Sequence, residues 1–193
     1  MNVLITSGGT DEKIDAVRSI LNTSTGELAS LIADSFSTSS DIDEIFYVCT
    51  NSAVKPLSEK VNIICIDTVD DLEHTLKSIL SMSDIDIIIH GMAVSDYRMV
   101  ISLCKFHSPQ ATLVGFKLLD NVLKETLINK GYQLLLDDQC SFVLANDSSD
   151  ISECQHIGYL IDRNKNYSCY RTKLEIANAI TAATLKEKIC YDC

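Results

Sequence analysis

The chain has 193 residues, 46% of them hydrophobic, which supplies one well-buried core but leaves two domains short of apolar surface. Asp and Glu number 27 against 16 Lys and Arg, a net charge of -11, which repels a phosphate backbone or an anionic membrane and so argues against nucleic acid and membrane as partners. The opening Met1-Asn2-Val3-Leu4-Ile5-Thr6 has no basic segment of a secretory signal, and no apolar run approaches the ~20 residues that span a bilayer.

Taken in chain order, short β-branched runs alternate with longer stretches of helical period, the signature of βαβ units on a parallel sheet. The strand candidates are Val3 to Thr6, Ile45 to Cys49, Ile63 to Asp67, Ile85 to His90, Thr112 to Lys117 and Phe142 to Asn146. The helix candidates between them are Gly26 to Phe36, Val69 to Leu80, Val100 to Phe106 and Val122 to Leu136, with apolar residues recurring at i, i+3 and i+4. Ile157 to Ile161 and Tyr167 to Tyr170 flank the polar Asp162-Arg163-Asn164-Lys165-Asn166 and read as a hairpin, ahead of a last helix from about Lys173 to Lys188. The expected fold is α/β, a Rossmann-like three-layer arrangement with a mostly parallel central sheet and a C-terminal hairpin, in one domain over 1–193.

Of the eight cysteines, Cys49, Cys65, Cys104, Cys140 and Cys169 sit in or beside apolar segments and read as small core residues in a reducing cytoplasm. Cys190 and Cys193 have CxxC spacing at the chain end without a second pair, and read as a frayed tail. His74, His107 and His156 have no ligand spacing, so no structural metal is expected. His90, at a strand end, reads as a packed residue rather than a general base.

Ligands of open parallel sheets bind beyond the carboxyl ends of the strands. Unusual residues gather at four such places: Ser7-Gly8-Gly9-Thr10, Met92-Ala93-Val94-Ser95-Asp96-Tyr97, Gly115-Phe116-Lys117 and Asn146-Asp147-Ser148. Gly8-Gly9 lets the backbone turn and present N–H groups to an anion. Asn22, Ser24 and Gly26 stand before an apolar-periodic helix whose N-terminus suits a phosphate. An ordinary cap by Ser24 or Thr25, with Glu27 in the first turn, explains that stretch equally well.

These residues carry a resemblance. Leu4-Ile5-Thr6-Ser7-Gly8-Gly9-Thr10, Ile14-Asp15-Ala16-Val17-Arg18-Ser19-Ile20 and Asn22-Thr23-Ser24-Thr25-Gly26, followed by Met92 to Tyr97, Val114-Gly115-Phe116-Lys117 and Leu144-Ala145-Asn146-Asp147, resemble in order and spacing the phosphopantothenate-cysteine ligases, in their stand-alone bacterial form. The resemblance implies a two-step ligase of coenzyme A biosynthesis. The 4′-phosphopantothenate carboxylate attacks the α-phosphate of CTP, and the L-cysteine amine then opens the acyl-cytidylate, with Mg²⁺ as cofactor. It further implies that Gly8, Ser24, Gly26, Ala29, Phe116 and Asn146 line the nucleotide site. Asn22, Ala93 and Asp96 would hold phosphopantothenate, and Arg18 would reach the substrate of the neighbouring subunit of a homodimer. Asn22 can donate to the oxygen that turns negative as cysteine attacks, a catalytic role. Phe116 reads equally as a core phenylalanine, and Asp96 as a solvated loop carboxylate.

The chain departs from the family where a long flap with a phosphate-binding lysine should follow Asp96-Tyr97, because Arg98 runs straight into Met99-Val100-Ile101-Ser102-Leu103. A flap excised from this sequence and a natural deletion both fit, and intact mass separates them. Gln133 and Asp137 align where the family places lysines; Lys117 is the remaining basic candidate. The competing reading is therefore a catalytically impaired nucleotide-binding relative with a regulatory or scaffolding role. A nicotinamide-dependent oxidoreductase ranks last, since Gly8-Gly9 lacks GxGxxG spacing and the second strand ends in Cys49-Thr50 without an acidic residue.

Overall fold

A computed structural model describes residues 1–13, 19–22, 24–94, 97–152 and 154–191. The chain forms two compact units, Met1–Ala111 and Thr112–Cys193. In the first, β1 (Asn2–Ser7), β4 (Glu44–Thr50), β5 (Val61–Ile66) and β6 (Ile87–His90) run in the order β6-β1-β4-β5, with β1 parallel to both neighbours and β4 parallel to β5. Val3, Leu4 and Ile5 of β1 and Ile87, Ile88 and Ile89 of β6 are all buried, as expected of parallel strands covered on both faces.

Helix α1 (Glu27–Ser37) packs across β1, β4 and β5, and α2 (Val69–Met82) against α3 (Tyr97–His107). The two crossover helices α1 and α2 begin differently. Thr68 caps α2 with a capping box: its hydroxyl accepts from the Asp71 N–H (3.1 Å) and the Asp71 carboxylate accepts from the Thr68 N–H (3.0 Å). Helix α1 has no side-chain cap, because its N-cap is Gly26 at φ 73°. The expected cap by Ser24 or Thr25 is thus corrected; Thr25 Oγ1 only receives a long 3.4 Å bond from the Glu27 N–H.

In the second unit β7 (Thr112–Leu119), β8 (Phe142–Ile151), β9 (His156–Asp162) and β10 (Tyr167–Tyr170) are neighbours in that order, the β7/β8 pair parallel and the later pairs antiparallel. Gly131 of α4 (Lys124–Asp137) meets Val143, Ala145 and Ile161 on one face, while Ile176 of α5 (Lys173–Tyr191) reaches Gly158 beside Leu144 and Asn146 on the other. This is the Rossmann-like three-layer α/β class the periodicity implies, with its parallel strands and C-terminal hairpin.

Four features differ from expectation. A two-stranded antiparallel pair, β2 (Asp11–Lys13) with β3 (Ser19–Leu21), follows the first strand. Strand β8 continues through Asn146-Asp147-Ser148, so these residues lie within the strand instead of after it. Cys65 and Cys169 are exposed, although Cys49, Cys104 and Cys140 are buried as expected, because β5 and β10 are the outer strands of their units. Helix α3 already begins at Tyr97, three residues before the expected start. Arg18, Asp96 and Cys193 lie outside the described residues. Among the described residues, no helix is long and apolar enough to cross a membrane.

Candidate functional site

In the first unit the site is made mostly of backbone. Strand β1 ends at Ser7 and the chain turns at Gly8, whose φ of 91° suits glycine and strains other residues. A Cβ on Gly8 would fall 2.3 Å from Thr50 Oγ1 and 2.9 Å from Ala53 Cβ. One on Gly26 would fall 2.5 Å from Ser7 Oγ, 3.0 Å from Ala53 Cβ and 3.4 Å from the Gly8 nitrogen. Gly8 and Gly26, separated in sequence, are therefore neighbours, and both press against the turn that follows β4.

Gly9 is tighter still. A Cβ there would lie 1.5 Å from the Asn22 carbonyl oxygen and 3.2 Å from the Ser24 nitrogen. The Asn22 N–H donates to the Thr10 carbonyl (3.1 Å) and its amide Nδ2 to Thr10 Oγ1 (3.4 Å). Ala93 clasps the same turn from the other side, its N–H donating to the Gly8 carbonyl (2.9 Å) and its carbonyl accepting from the Thr10 N–H (3.1 Å). Gly8, Asn22, Ser24, Gly26 and Ala93 thus form one cluster, and Ala29 lies buried in the first turn of α1. The start of α1, without a capping side chain, carries the partial positive charge of a helix N-terminus and lies beside the Gly8 turn, an arrangement suited to an anion.

Two residues that sequence reasoning missed hold this cluster. The Tyr47 hydroxyl lies 2.7 Å from Ser7 Oγ, 2.8 Å from the Val54 carbonyl and 3.4 Å from the Gly26 carbonyl. Burial pushes this phenol well above its ordinary pKa, so it stays a neutral donor. The Lys55 ammonium donates to the carbonyls of Thr50 (2.7 Å), Ala53 (3.0 Å) and Asn51 (3.3 Å), closing the turn that backs Gly8 and Gly26. The available signal was a single hydroxyl-bearing aromatic within the apolar Ile45-Phe46-Tyr47-Val48-Cys49, since a buried Tyr needs a partner for its O–H.

His90 is fully buried with its Nδ1 2.7 Å from Thr6 Oγ1, and burial lowers its pKa to about 4. It is neutral at pH 7 and packed beneath the turn, as the sequence suggested.

In the second unit the rim is built by side chains. Phe116 is half-buried. It shares a sheet face with Asn146: Leu118 pairs in register with Asn146, and residues two apart project to the same side. Lys117 therefore points to the opposite face and does not share the Phe116 surface. The Asn146 amide donates to the Ile157 carbonyl at 2.9 Å, which ties β8 to β9. Asp147, buried, accepts from Ser149 Oγ (2.6 Å) and from the N–H groups of Val122 (2.8 Å), Ser149 (2.9 Å) and Asn121 (2.9 Å). The Ser149 hydroxyl and these N–H groups hold its carboxyl well below the usual range and fix the turn into α4. Gln133 and Asp137 are exposed and bonded to each other (2.7 Å), so this pair offers a phosphate no positive charge.

A sheet of mostly parallel strands flanked by helices, with a glycine-built turn after its first strand, defines a class, the Rossmann-like three-layer α/β domains. The comparisons narrow it. The family model for the DNA/pantothenate metabolism flavoprotein C-terminal domain matches residues 1–102, more than half the chain, and the chain belongs to that family. The matched span contains the whole glycine cluster and ends ahead of Phe116 and Asn146. Among curated proteins, the chain is 26% identical over 202 residues to the coenzyme A biosynthesis bifunctional protein CoaBC of Thermococcus kodakarensis, covering 92% of this chain and 49% of that protein. It is 29% identical over 169 residues to the protein of the same name from Methanocaldococcus jannaschii, covering 76% of this chain and 40% of that one. The chain spans about half the length of the curated relatives it matches, or less. Among solved structures, the DNA/pantothenate metabolism flavoprotein from Streptococcus pneumoniae superposes with a TM-score of 0.84 at 28% identity over 99% of both chains.

Proposed function

We propose that this chain is a phosphopantothenate-cysteine ligase of coenzyme A biosynthesis. The observation that carries the reading is the glycine cluster of Gly8, Gly9 and Gly26 at the start of α1, lying inside the stretch matched by the pantothenate-metabolism family. The names of the curated relatives agree with it. An acidic protein can hold a nucleotide triphosphate there through main-chain N–H groups rather than a basic surface.

In the proposed reaction the 4′-phosphopantothenate carboxylate attacks the α-phosphorus of CTP and pyrophosphate leaves. The cysteine amine then attacks the acyl carbon and CMP leaves. Gly8, Ser24, Gly26 and Ala29 would surround the phosphates, Phe116 would give the base or ribose an apolar contact, and Asn146 would complete the nucleotide side. Asn22, Ala93 and Asp96 would seat phosphopantothenate, with Arg18 supplied across a homodimer. The Asn22 amide, held beside Gly9, would stabilise the oxygen that becomes negative when cysteine attacks. The Mg²⁺ of the reaction would be liganded chiefly by the triphosphate oxygens.

The test measures products separately. Pyrophosphate release from CTP should require phosphopantothenate and Mg²⁺, and CMP release should require L-cysteine as well. Binding of CTP without either product would favour the second reading, a nucleotide-binding relative without turnover, which the uncharged Gln133 and the Asp137 bonded to it support.

A further inference from the structure

Cys49 and Cys65 are in-register partners on the adjacent parallel strands β4 and β5. In-register residues of neighbouring strands project to the same face, and such strands lie ≈ 4.7–4.9 Å apart, inside the ≈ 4.4–6.8 Å between Cα atoms that a disulfide requires. The two thiols differ in access: Cys65 is exposed on the outer strand, whereas Cys49 is buried. The pair therefore has an entry thiol and a resolving thiol. We propose that Cys49 and Cys65 form a reversible intrachain disulfide, making the end of β4 a thiol-oxidation site.

The chemistry balances with a small-molecule disulfide as oxidant. The Cys65 thiolate attacks one sulfur of oxidised glutathione and expels one glutathione thiolate. The Cys49 thiolate, its proton lost to solvent, then attacks Cys65 Sγ and expels the second. Two protein thiols are oxidised and one glutathione disulfide is reduced to two thiols. Burial raises the Cys49 thiol pKa, and the neighbouring Lys55 ammonium opposes that rise by favouring the thiolate. A cross-strand link on an exposed outer strand is of the labile, reducible kind, which suits reversal in a reducing cytoplasm.

The site also touches the glycine cluster. Cys49 precedes Thr50, whose Oγ1 stands where a Gly8 Cβ would be, and the Lys55 ammonium holds the Thr50 and Ala53 carbonyls. Drawing Cys49 toward β5 shifts that turn against Gly8 and Gly26. This consequence, unlike the disulfide, rests on the cluster being the nucleotide site.

The experiment exposes the reduced full chain to oxidised glutathione, alkylates remaining thiols and maps peptides without reduction. A linked Cys49–Cys65 peptide is expected, while the exposed Cys154 and Cys169 retain glutathione. Cys49→Ser should stop at a Cys65–glutathione mixed disulfide, and Cys65→Ser should leave Cys49 unmodified, so either variant alone suffices if the other fails to fold. Cys65 that stays reduced or keeps its glutathione in the wild-type chain overturns the proposal. CTP affinity of the same oxidised sample should fall by about tenfold and recover with dithiothreitol. Unchanged affinity overturns the coupling to the cluster. A reduced sample that binds no CTP counts against the proposed function and leaves the disulfide standing.

Discussion

The two rims use opposite means. In the first unit the turn after β1 owes its shape to missing side chains: Gly8, Gly9 and Gly26 leave room that Thr50, Ala53, Ser7 and the Asn22 carbonyl fill. In the second unit the corresponding strand end owes its shape to a side chain that is present, the Asp147 carboxylate with its three backbone N–H groups and the Ser149 hydroxyl. At Gly9 the first rim has no slack, because a new carbon meets backbone that cannot rotate away, whereas at Gly8 and Gly26 it first meets side-chain atoms of Thr50, Ser7 and Ala53. A rim made by a carboxylate can keep part of its bonding when a related side chain replaces it.

The largest effect should come from Gly9→Ala, since its Cβ would sit 1.5 Å from a backbone oxygen. Loss of cooperative thermal unfolding, or a fall in stability on the order of 3 kcal/mol or more, is expected, together with loss of CTP binding. A Gly9→Ala chain that melts like wild type would break the contrast. Asp147→Asn, by comparison, should remain folded with a lower Tm, because an amide oxygen still accepts from some of the same donors.

His90, beneath the first rim, gives a pH test. Its folded pKa of about 4 lies below the ordinary 6.5, so the unfolded chain binds the proton more readily. Stability from this group is present above about pH 6.5 and is lost as pH falls toward about 4, on the order of 3 kcal/mol in all. Urea unfolding between pH 7 and pH 4.5 should show this slope, and His90→Gln should flatten it. An unchanged slope in the variant would refute the assignment.

Tyr47→Phe removes the hydroxyl shared by Ser7 and the Val54 carbonyl. A loss of about 1–3 kcal/mol is expected from the stranded partners, with weaker CTP binding. The smallest effect belongs to the second unit. The Lys124 ammonium stands 5.1 Å from the Tyr159 ring centroid and 5.0 Å from that of Tyr167. Lys124→Met should cost about 0.5–1 kcal/mol in chemical denaturation and leave CTP binding unchanged.

The contrast also marks what the sequence could disclose. Continuous apolar runs such as Ile85 to His90 announced buried parallel strands, and the Leu72, Leu76, Ile79, Leu80 spacing announced α2, because burial periodicity is written directly in residue order. The β2–β3 pair was not legible, since Asp11-Glu12-Lys13 has low strand propensity and its pairing depends on the partner segment. The Ile63-Ile64-Cys65-Ile66 run looked like core because composition does not reveal that a strand is outermost. In the first unit, the sequence singled out Gly8, Asn22, Ser24, Gly26 and Ala93, which the fold brings together, but it did not single out Tyr47 and Lys55. Their importance comes from three-dimensional neighbours in Ser7, Gly26 and the Thr50 turn, which no local spacing encodes.

Helix α1, unlike α2 with its Thr68–Asp71 box, begins at Gly26 without a capping side chain, and its first amide makes a long bond to Thr25 Oγ1. If the proposed nucleotide binds there, its phosphates would strengthen that helix start, and occupancy would become a component of the fold's own stability. The melting temperature should therefore climb with the logarithm of nucleotide concentration above its dissociation constant, and the chain's resistance to heat would report how well supplied the cell is with that nucleotide.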